Sequence, residues 1–504
     1  MKLSFISLLL FLQSIFALQI PVYKLIKYEH QGVLYGSQVS SLKLAGAHYK
    51  NVEEIQRKMA LVHASDLHLT LFHVILANKP GALLIILEEN EPEKIRDIEL
   101  YLGTHRFYFP IFFTFQTLEI MELYEQLYWL KGDGIQFVLN SNVEAEGLRN
   151  VTLENYYGFL NDYDEALPTV VLAAHYDSFS IVPELSFGMD SNGSGVIALG
   201  EIAKLLKKNL INSKPKYNVL ILFNSGGNDN FIGLQRWLDS KAPDLKHAIN
   251  NIAFALCLDT IGKSEELTFH ITRFPRKDET ELINLFSGFN RTASKYQISL
   301  NYFKKKVDLV DNYIPWGHET FIKKKIVAAT LSHLERPANS TLEKNSIYDR
   351  KSNINLHILE KNVMFIYEAL VRFLDGDHEN AQMKVQAKLS SDALGWLKKF
   401  SSHSRFPTKI VSGSEFLILF RDYVREALGN NMKLQKFHGS DDVYFDTKVE
   451  ILNSYKMKSK VLDLYIFLYV VIYLLLLWIS VKYVGSIKFI TSKKSRHKNF
   501  NHQY

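Results

Sequence analysis

Short apolar runs alternate with amphipathic helical patterns over residues 151–377, and this alternation constrains the fold more than any other feature. The apolar runs are "TVVLAAHYDS", "YNVLILFNSGG", "NIAFALCLDTIG" and "KIVAATLSH". Continuous apolar runs are expected for strands that are covered on both faces. "SGVIALGEIAKLLKKN" carries one apolar stripe with helical spacing. The pattern predicts an α/β domain whose sheet is partly parallel and lies between layers of helices.

Several of these apolar runs end at a polar side chain. His175, Asn224, Asp259 and His333 each stand at or just after the end of a run. In open α/β sheets, ligands bind in the crevice at the carboxyl ends of the strands. We therefore expect these polar residues to gather where a site would lie.

Four separated segments occur in the order found in the M28 family of zinc aminopeptidases, which the chain resembles. "AAHYDS" matches the strand that supplies the first metal-binding His, here His175, and Asp177 would then orient its imidazole. "GMDSNGSGV" matches the turn of the bridging acid, here Asp190. "LCLDTIG" and "WGHETF" match the segments of the remaining ligands, here Asp259 and His318. The resemblance implies a three-layer α/β/α fold with a vestigial metal pocket.

A fifth family motif, "EExGL", is missing from the chain. The corresponding stretch reads "FNSGGNDNFIGLQRW", and no Glu occurs between Glu201 and Glu265. In the family this motif supplies the general base and one metal ligand, so the resemblance implies a pseudoenzyme with no catalytic residues and at most a weak residual zinc. Asp229 could replace a Glu, but its side chain is one methylene shorter.

Each retained site residue also has a purely structural interpretation. His175 and Asp177 could form a hydrogen-bonded pair at a strand end. Asp190 could cap the following helix. Asp259 and His318 could pair with each other or with water.

Both ends of the chain carry membrane-related patterns. Residues 1–18 have Lys2 followed by a short apolar run, which is typical of a signal peptide. Residues 463–483 contain an uncharged stretch that is long enough to cross a bilayer. The basic tail 484–504 would then be cytosolic and the large ectodomain lumenal. The net charge of +6 and the absence of a basic stretch interleaved with aromatic residues argue against nucleic acid as a partner.

The ectodomain divides into three predicted parts. Residues 19–150 form a smaller N-terminal α/β lobe, in which 45–64 are expected to be helical, and residues 151–377 form the peptidase-like domain. Residues 378–460 are predicted to be a helical juxtamembrane region. The chain has a single cysteine, so it can form no internal disulfide. Asn150, Asn290 and Asn339 begin N-x-Ser/Thr tripeptides and are predicted glycosylation sites.

The chain further resembles the nicastrin and nicalin group of M28-like membrane proteins. The strings "AHYDSFSIVPELSFGMDSNGSGV", "SGGNDNFIGLQRWL" and "VYFDTKVEILNSYKMKSKVLDLY" look like nicalins. That resemblance implies a non-catalytic scaffold subunit in the endoplasmic reticulum membrane. Its implied partners are a nodal modulator protein, a small multi-pass membrane protein, and the Sec translocon with its ribosome.

The function that the resemblance implies is to aid the insertion and assembly of multi-pass membrane proteins, and an effect on Nodal-type signalling is also attributed to the family. Two alternatives stay open from the sequence. One is a lumenal zinc aminopeptidase. The other is a receptor that binds free amino termini without cleavage.

Overall fold

The computed structural model describes most of the chain. It covers residues 17–38, 41–89, 95–129, 134–140, 147–149, 151–210, 216–308, 313–375, 389–445, 448–456 and 460–498. The predicted signal peptide lies almost wholly outside the described residues, and so does Asn150.

Twenty strands and thirteen α-helices are present in the described residues. The strands are β1 Leu18–Lys24, β2 Lys27–His30, β3 Val33–Ser37, β4 Leu42–His48, β5 Met59–His63, β6 Ala82–Leu87, β7 Arg106–Phe107, β8 Ile111–Phe115, β9 Ile135–Leu139, β10 Gly147–Leu148, β11 Thr152–Phe159, β12 Thr169–His175, β13 Asn218–Asn224, β14 Ile252–Leu258, β15 Glu266–Ile271, β16 Ser299–Lys304, β17 Ala328–Ser332, β18 Lys433–His438, β19 Val443–Phe445 and β20 Glu450–Lys456. The helices are α1 Leu69–Ala77, α2 Arg96–Thr104, α3 Leu118–Trp129, α4 Gly195–Leu210, α5 Ile232–Leu238, α6 Pro243–Asn250, α7 Thr280–Tyr296, α8 Gly317–Lys323, α9 Thr341–Lys344, α10 Leu356–Asp375, α11 Ser391–Ser402, α12 Glu415–Leu428 and α13 Lys460–Lys498.

An eight-stranded mixed sheet forms the centre of the larger domain, in the order β16-β15-β17-β14-β12-β13-β11-β18. Strands β13, β12, β14 and β17 run parallel. Alternate residues of β12 bury on opposite faces, with Leu172 in the core beneath α4 and Ala173 in the core beneath α5. The predicted three-layer α/β/α fold is confirmed, because helices cover both faces of this sheet.

The N-terminal lobe is built around a closed seven-stranded barrel in the order β1-β20-β9-β4-β5-β6-β8, and β8 pairs back to β1. A second sheet, β10-β19-β2-β3-β7, belongs to the same lobe. Helices α1, α2 and α3 pack on the barrel through residues such as Phe72, Leu102 and Leu127. Closure leaves the barrel without a free strand edge.

The segment predicted to be a helical juxtamembrane region, 378–460, has a different structure. Its two helices, α11 and α12, pack into the core of the eight-stranded sheet, where Trp396 and Phe420 are buried. Its three strands join three different sheets, and β20 closes the barrel between β1 and β9. Strand β20 has only seven residues. In it Leu452 and Ser454 are buried, while the alternating Ile451 and Asn453 are exposed and half-buried. The segment therefore returns to both domains and does not form a separate stalk.

Residues 45–64, predicted to be one helix, also differ. Strands β4 and β5 occupy most of this range, joined by a loop and a short 3-10 turn. Their pairing with β9 and β6 buries Ala47, Ala60 and Val62. Tertiary pairing in the barrel therefore overrides a local helical pattern.

The C-terminal helix α13 contains the predicted membrane segment. Within it, Leu464–Tyr483 has a mean hydropathy of 2.6 over its most apolar window, and it is long and apolar enough to cross a membrane. None of that window is buried in the protein. A soluble core helix of this composition would be largely covered.

Candidate functional site

The candidate site lies at the carboxyl ends of β12, β14 and β17. His175 is the last residue of β12, while Asp259 and His333 follow the ends of β14 and β17. Because these three strands are parallel, their ends meet at one edge of the sheet. These three polar residues therefore lie together at one edge of the sheet, as expected from the sequence.

Asp190 fixes the turn that leads into α4. Its Oδ1 accepts hydrogen bonds from Gly262 N at 2.8 Å and Ser194 Oγ at 2.9 Å. Its Oδ2 lies 3.4 Å from His333 Nδ1. Asp190 therefore ties the turn before α4 to the loop after β14.

Asp349 stabilises the same turn by hydrogen bonds to its backbone. Its carboxylate accepts hydrogen bonds from Asp190 N at 2.9 Å and Ser191 N at 2.8 Å. Burial raises the pKa of Asp349, and the nearby charge of Asp190 raises it further. The sequence analysis missed this residue, because an acid that binds backbone N–H groups 159 positions away leaves no local pattern.

Asp259 is paired with a lysine. Lys344 Nζ forms an ion pair with Asp259 Oδ2, and the side chains are only 4% and 2% exposed. The ammonium group also lies 4.9 Å from the ring centroid of Trp316, within the range of a cation–π contact. Burial raises the pKa of Asp259, and the positive charge of Lys344 opposes that rise. A cation from the chain itself therefore sits on the carboxylate that the family resemblance assigns to a metal.

His175 is buried beside this pair. Its Nδ1 lies 3.8 Å from Asp259 Oδ2 and 3.3 Å from Asn192 Nδ2. Burial, reinforced by the positive charges of Lys344 and Arg405, lowers the pKa of His175 well below its usual value. The ring is neutral, and its Nε2 has no hydrogen-bond partner among the described residues.

The loop of Gly226 and Gly227 packs directly on His175. A Cβ atom at Gly227 would come within 2.2 Å of the His175 ring. The neighbouring Gly226 has φ +69°, in the left-handed region that favours glycine. The loop therefore fills the space beside the imidazole with backbone and offers no carboxylate there.

Asp177 holds this loop and does not orient His175. Its carboxylate accepts hydrogen bonds from Gly227 N at 2.8 Å and from Asn228 N at 2.9 Å. Asn228 Nδ2 adds a third at 3.1 Å. Asp177 was predicted to orient the imidazole of His175. In the structure both of its carboxylate oxygens instead accept hydrogen bonds from the loop at Gly227 and Asn228.

His318 also lies apart from the acids. It is the second residue of α8, and its Nδ1 is 2.9 Å from Thr330 Oγ1. Burial lowers the pKa of His318 to about 3, with a smaller contribution from His270. The structure brings His333, not His318, next to Asp190. The sequence analysis noted His333 as a strand end but did not include it among the candidate ligands.

Arg405 connects the site to the C-terminal segment. The guanidinium is fully buried and donates to the backbone carbonyls of Tyr176, Phe187 and Gly188. These carbonyls lie on the long connection between β12 and α4. Arg405 therefore sets the conformation of the segment that carries Asp177 and Asp190.

A cavity of about 580 Å³ opens over the site, between the two lobes. Asp190, His333 and Lys344 line it together with Arg96, Lys263 and Asp349. Arg96 reaches from the barrel lobe and donates to the backbone carbonyls of Glu343 and Asn345. The cavity wall therefore carries both acidic and basic side chains.

The residues present do not fit a zinc pair. Over the described parts of the chain, no group of three or more His, Cys, Asp or Glu is placed to hold a metal ion. A catalytic zinc needs three protein ligands and an open position. Here Lys344 forms an ion pair with Asp259, and Gly262 N and Ser194 Oγ donate hydrogen bonds to Asp190 Oδ1. The backbone of Gly227 packs against the imidazole of His175.

Comparisons with known proteins agree with this architecture. The profile of Peptidase family M28 matches residues 155–365. BOS complex subunit ncln of Danio rerio is 27% identical over 96% of this chain and 95% of its own length. Nicalin of Caenorhabditis elegans is 30% identical over 50% of this chain and 49% of its own length. The chain is therefore similar to nicalins over nearly its whole length and to Peptidase family M28 over its larger domain.

The likeness extends to the whole ectodomain. The crystal structure of Nicastrin, a component of gamma-secretase, superposes with a TM-score of 0.63 at 11% identity. It covers 86% of this chain and 99% of that chain. The match includes both lobes, so the barrel and the peptidase-like domain form one shared fold.

Proposed function

We propose that this chain is a non-catalytic, single-pass subunit of a membrane complex equivalent to the BOS complex. The observation that carries the proposal is the buried Lys344–Asp259 ion pair, which neutralises a site carboxylate from within the chain. The loop of Gly226 and Gly227 supplies no general base, and a positioned base contributes about 10²–10⁴-fold to a reaction rate. The fold then serves as a rigid ectodomain on one membrane-spanning helix.

The same contacts argue against the two alternatives. An aminopeptidase needs a base and a metal at the strand ends, where this chain places Gly227 and Lys344. A receptor for free amino termini needs an acid that is open to the amine of the peptide. Asp259 already binds the ammonium group of Lys344, so that recognition would require breaking a buried ion pair.

The finer parts of the proposal follow from the relatives. We propose a location in the endoplasmic reticulum membrane with the ectodomain in the lumen. The proposed partners are a nodal modulator protein and a small multi-pass membrane protein, next to the Sec translocon and ribosome. Curated relatives from zebrafish and human, which match over most of this chain, are named as BOS complex subunits. We propose glycosylation at Asn290 and Asn339, which are both exposed.

Mild purification tests the scaffold role. The full chain, extracted in a gentle detergent, is expected to co-purify with other membrane proteins in fixed ratio. Recovery as a lone monomer from its native membrane would contradict the proposal. A matched control is a chain that lacks Leu464–Tyr483 and should lose partners that bind within the membrane.

Activity measurements test the absence of catalysis. The purified chain is incubated with zinc and a panel of aminoacyl fluorogenic substrates, with and without a chelator. We expect no turnover above the buffer rate. Chelator-sensitive turnover that disappears in Asp190→Ala would overturn the proposal.

A further inference from the structure

The outer face of three barrel strands is uncharged and carries several exposed apolar side chains. In the β1–β20 pair, Pro21 stands opposite Ile451, and in the β20–β9 pair Tyr455 stands opposite Gln136. Cross-strand partners of an antiparallel pair lie on the same face of the sheet. Ile451 and Tyr455 are 46% and 39% exposed, and the preceding Val449 is 45% exposed.

The charges of these strands are arranged unevenly. Glu450 points into the barrel, where it forms an ion pair with the buried Lys24. The outward positions paired across β1, β20 and β9 carry no acidic side chain; they are Gln19, Pro21, Gln136, Val138, Ile451, Asn453 and Tyr455. Lys43, which pairs with Val138, and Lys448 and Lys456 at the ends of β20 are exposed. The face therefore has an uncharged centre with Lys43 at one side, while Lys448 and Lys456 stand at the two ends of β20 and alternate with its outward positions.

The chain holds this face close to the membrane segment. Tyr455 is five residues before Lys460, where α13 begins, and Leu464 starts the apolar window. Five extended residues and four helical residues span at most about 24 Å. The polar headgroup layer adds about 6 Å on each side of the hydrocarbon core. The end of β20 therefore cannot move far from the bilayer surface.

We propose that the outer face of β1, β20 and β9 rests on the bilayer surface and takes anionic phospholipid headgroups as its ligand. This inference goes beyond the proposed function and requires only that α13 crosses a membrane. Ile451, Pro21 and Val449 would enter the headgroup layer, where apolar side chains bind by burial. Tyr455 carries the amphipathic ring that is enriched at this depth. Lys43, Lys448 and Lys456 would meet lipid phosphates.

A lipid surface fits this face better than a protein partner does. The face is uncharged at its centre with Lys43 at one side, and the tether limits how far the end of β20 can lie from the hydrocarbon. Lipid headgroups are present at that distance around every copy of the chain. Contact there would set the tilt of the whole ectodomain relative to α13.

The test uses the full chain in vesicles of phosphatidylcholine with phosphatidylserine. A cysteine introduced by Ile451→Cys is labelled with an environment-sensitive fluorophore, and Gln19→Cys provides a second reporter on the same face. The native Cys257 is buried and stays unlabelled. Ile283→Cys is the matched control, because Ile283 is 40% exposed on α7 of the peptidase-like domain. Lipids that carry a nitroxide at the headgroup are the quencher.

We expect quenching by about half or more at positions 451 and 19, with emission shifted to shorter wavelength, and little quenching at 283. Removal of phosphatidylserine should reduce the quenching at 451. Equal, weak quenching at all three positions would overturn the proposal. Quenching at 451 that appears only when other membrane proteins are reconstituted would also overturn it, because the occupant would then be a protein. Failure of the chain to float with the vesicles would instead refute the membrane-spanning helix of the proposed function.

Discussion

Lys344→Met tests the central electrostatic claim of the site. The substitution keeps most of the side-chain volume and removes the ammonium group that binds Asp259. Asp259 is then left buried without a cation, because its other carboxylate oxygen has no partner among the described residues. Removing one partner of a buried pair destabilises a protein by about 3–5 kcal/mol.

Protonation of Asp259 limits this loss. Protonating an Asp with an unfolded pKa of about 3.9 at pH 7 costs about 4 kcal/mol of free energy, because each pH unit above the pKa adds about 1.4 kcal/mol. At pH 5 the same step requires about 1.5 kcal/mol. Because burial raises the folded pKa of Asp259, the variant gains stability relative to the native chain as pH falls from 7 to 5.

The assay is thermal unfolding of the full chain in mild detergent at pH 7 and pH 5. A loss of about 4 kcal/mol at pH 7 should lower the midpoint by roughly 10 °C for a domain of this size. Lys344→Met with Asp259→Asn removes both charges and should recover most of that shift. Lys324→Met is the matched control, since it breaks an exposed pair with Asp239 and should change stability by less than about 1 kcal/mol. A large loss that Asp259→Asn does not rescue at either pH would refute the reasoning.

Three further variants address other parts of the site. Arg405→Met should lower stability by about 3–5 kcal/mol, because three backbone carbonyls lose their buried donor, and a fall of the unfolding midpoint would show it. His318→Gln should weaken the acid sensitivity of the chain. With a folded pKa of about 3, His318 takes up a proton near pH 5 only when the chain unfolds, so it lowers the free energy of unfolding by about 2 kcal/mol at pH 5 relative to pH 7. If the native chain and the variant lose the same stability between pH 7 and pH 5, this reasoning is wrong. Gly227→Ala should cost about 1–3 kcal/mol, because its Cβ overlaps the His175 ring, and an unchanged midpoint would mean that the loop moves freely.

Much of the larger domain could be predicted from the sequence. Strands such as β12 and β13 are continuous apolar runs that end at His175 and Asn224, and this pattern is directly visible. The barrel lobe could not be predicted in the same way. Strand β20 pairs with β1 across more than 400 residues, and neither strand contains a signal for the other. The strands over 45–64 likewise depend on neighbours from β9 and β6.

The site was predictable in composition but not in its pairings. The sequence alone shows His175, Asp190 and Asp259 in the expected segments, and it shows that no Glu occurs between Glu201 and Glu265. It does not show that Lys344 reaches Asp259, because 85 residues separate them. Nor does it show that His333 lies beside Asp190, whereas His318 pairs with Thr330. Long-range contacts decide both points.

The retained acids need no metal to explain their place in the fold. Buried carboxylates persist only when they are paired or hydrogen-bonded. Asp190 binds Gly262 N, Asp349 binds the N–H groups of the Asp190 turn, and Asp177 binds the Gly227 loop. Each carboxylate holds a loop that closes one side of the pocket, so replacing it by Ala would leave buried N–H groups without acceptors. Asp190, Asp349 and Asp177 therefore each have a structural role as hydrogen-bond acceptors in the pocket wall, and that role does not depend on a metal.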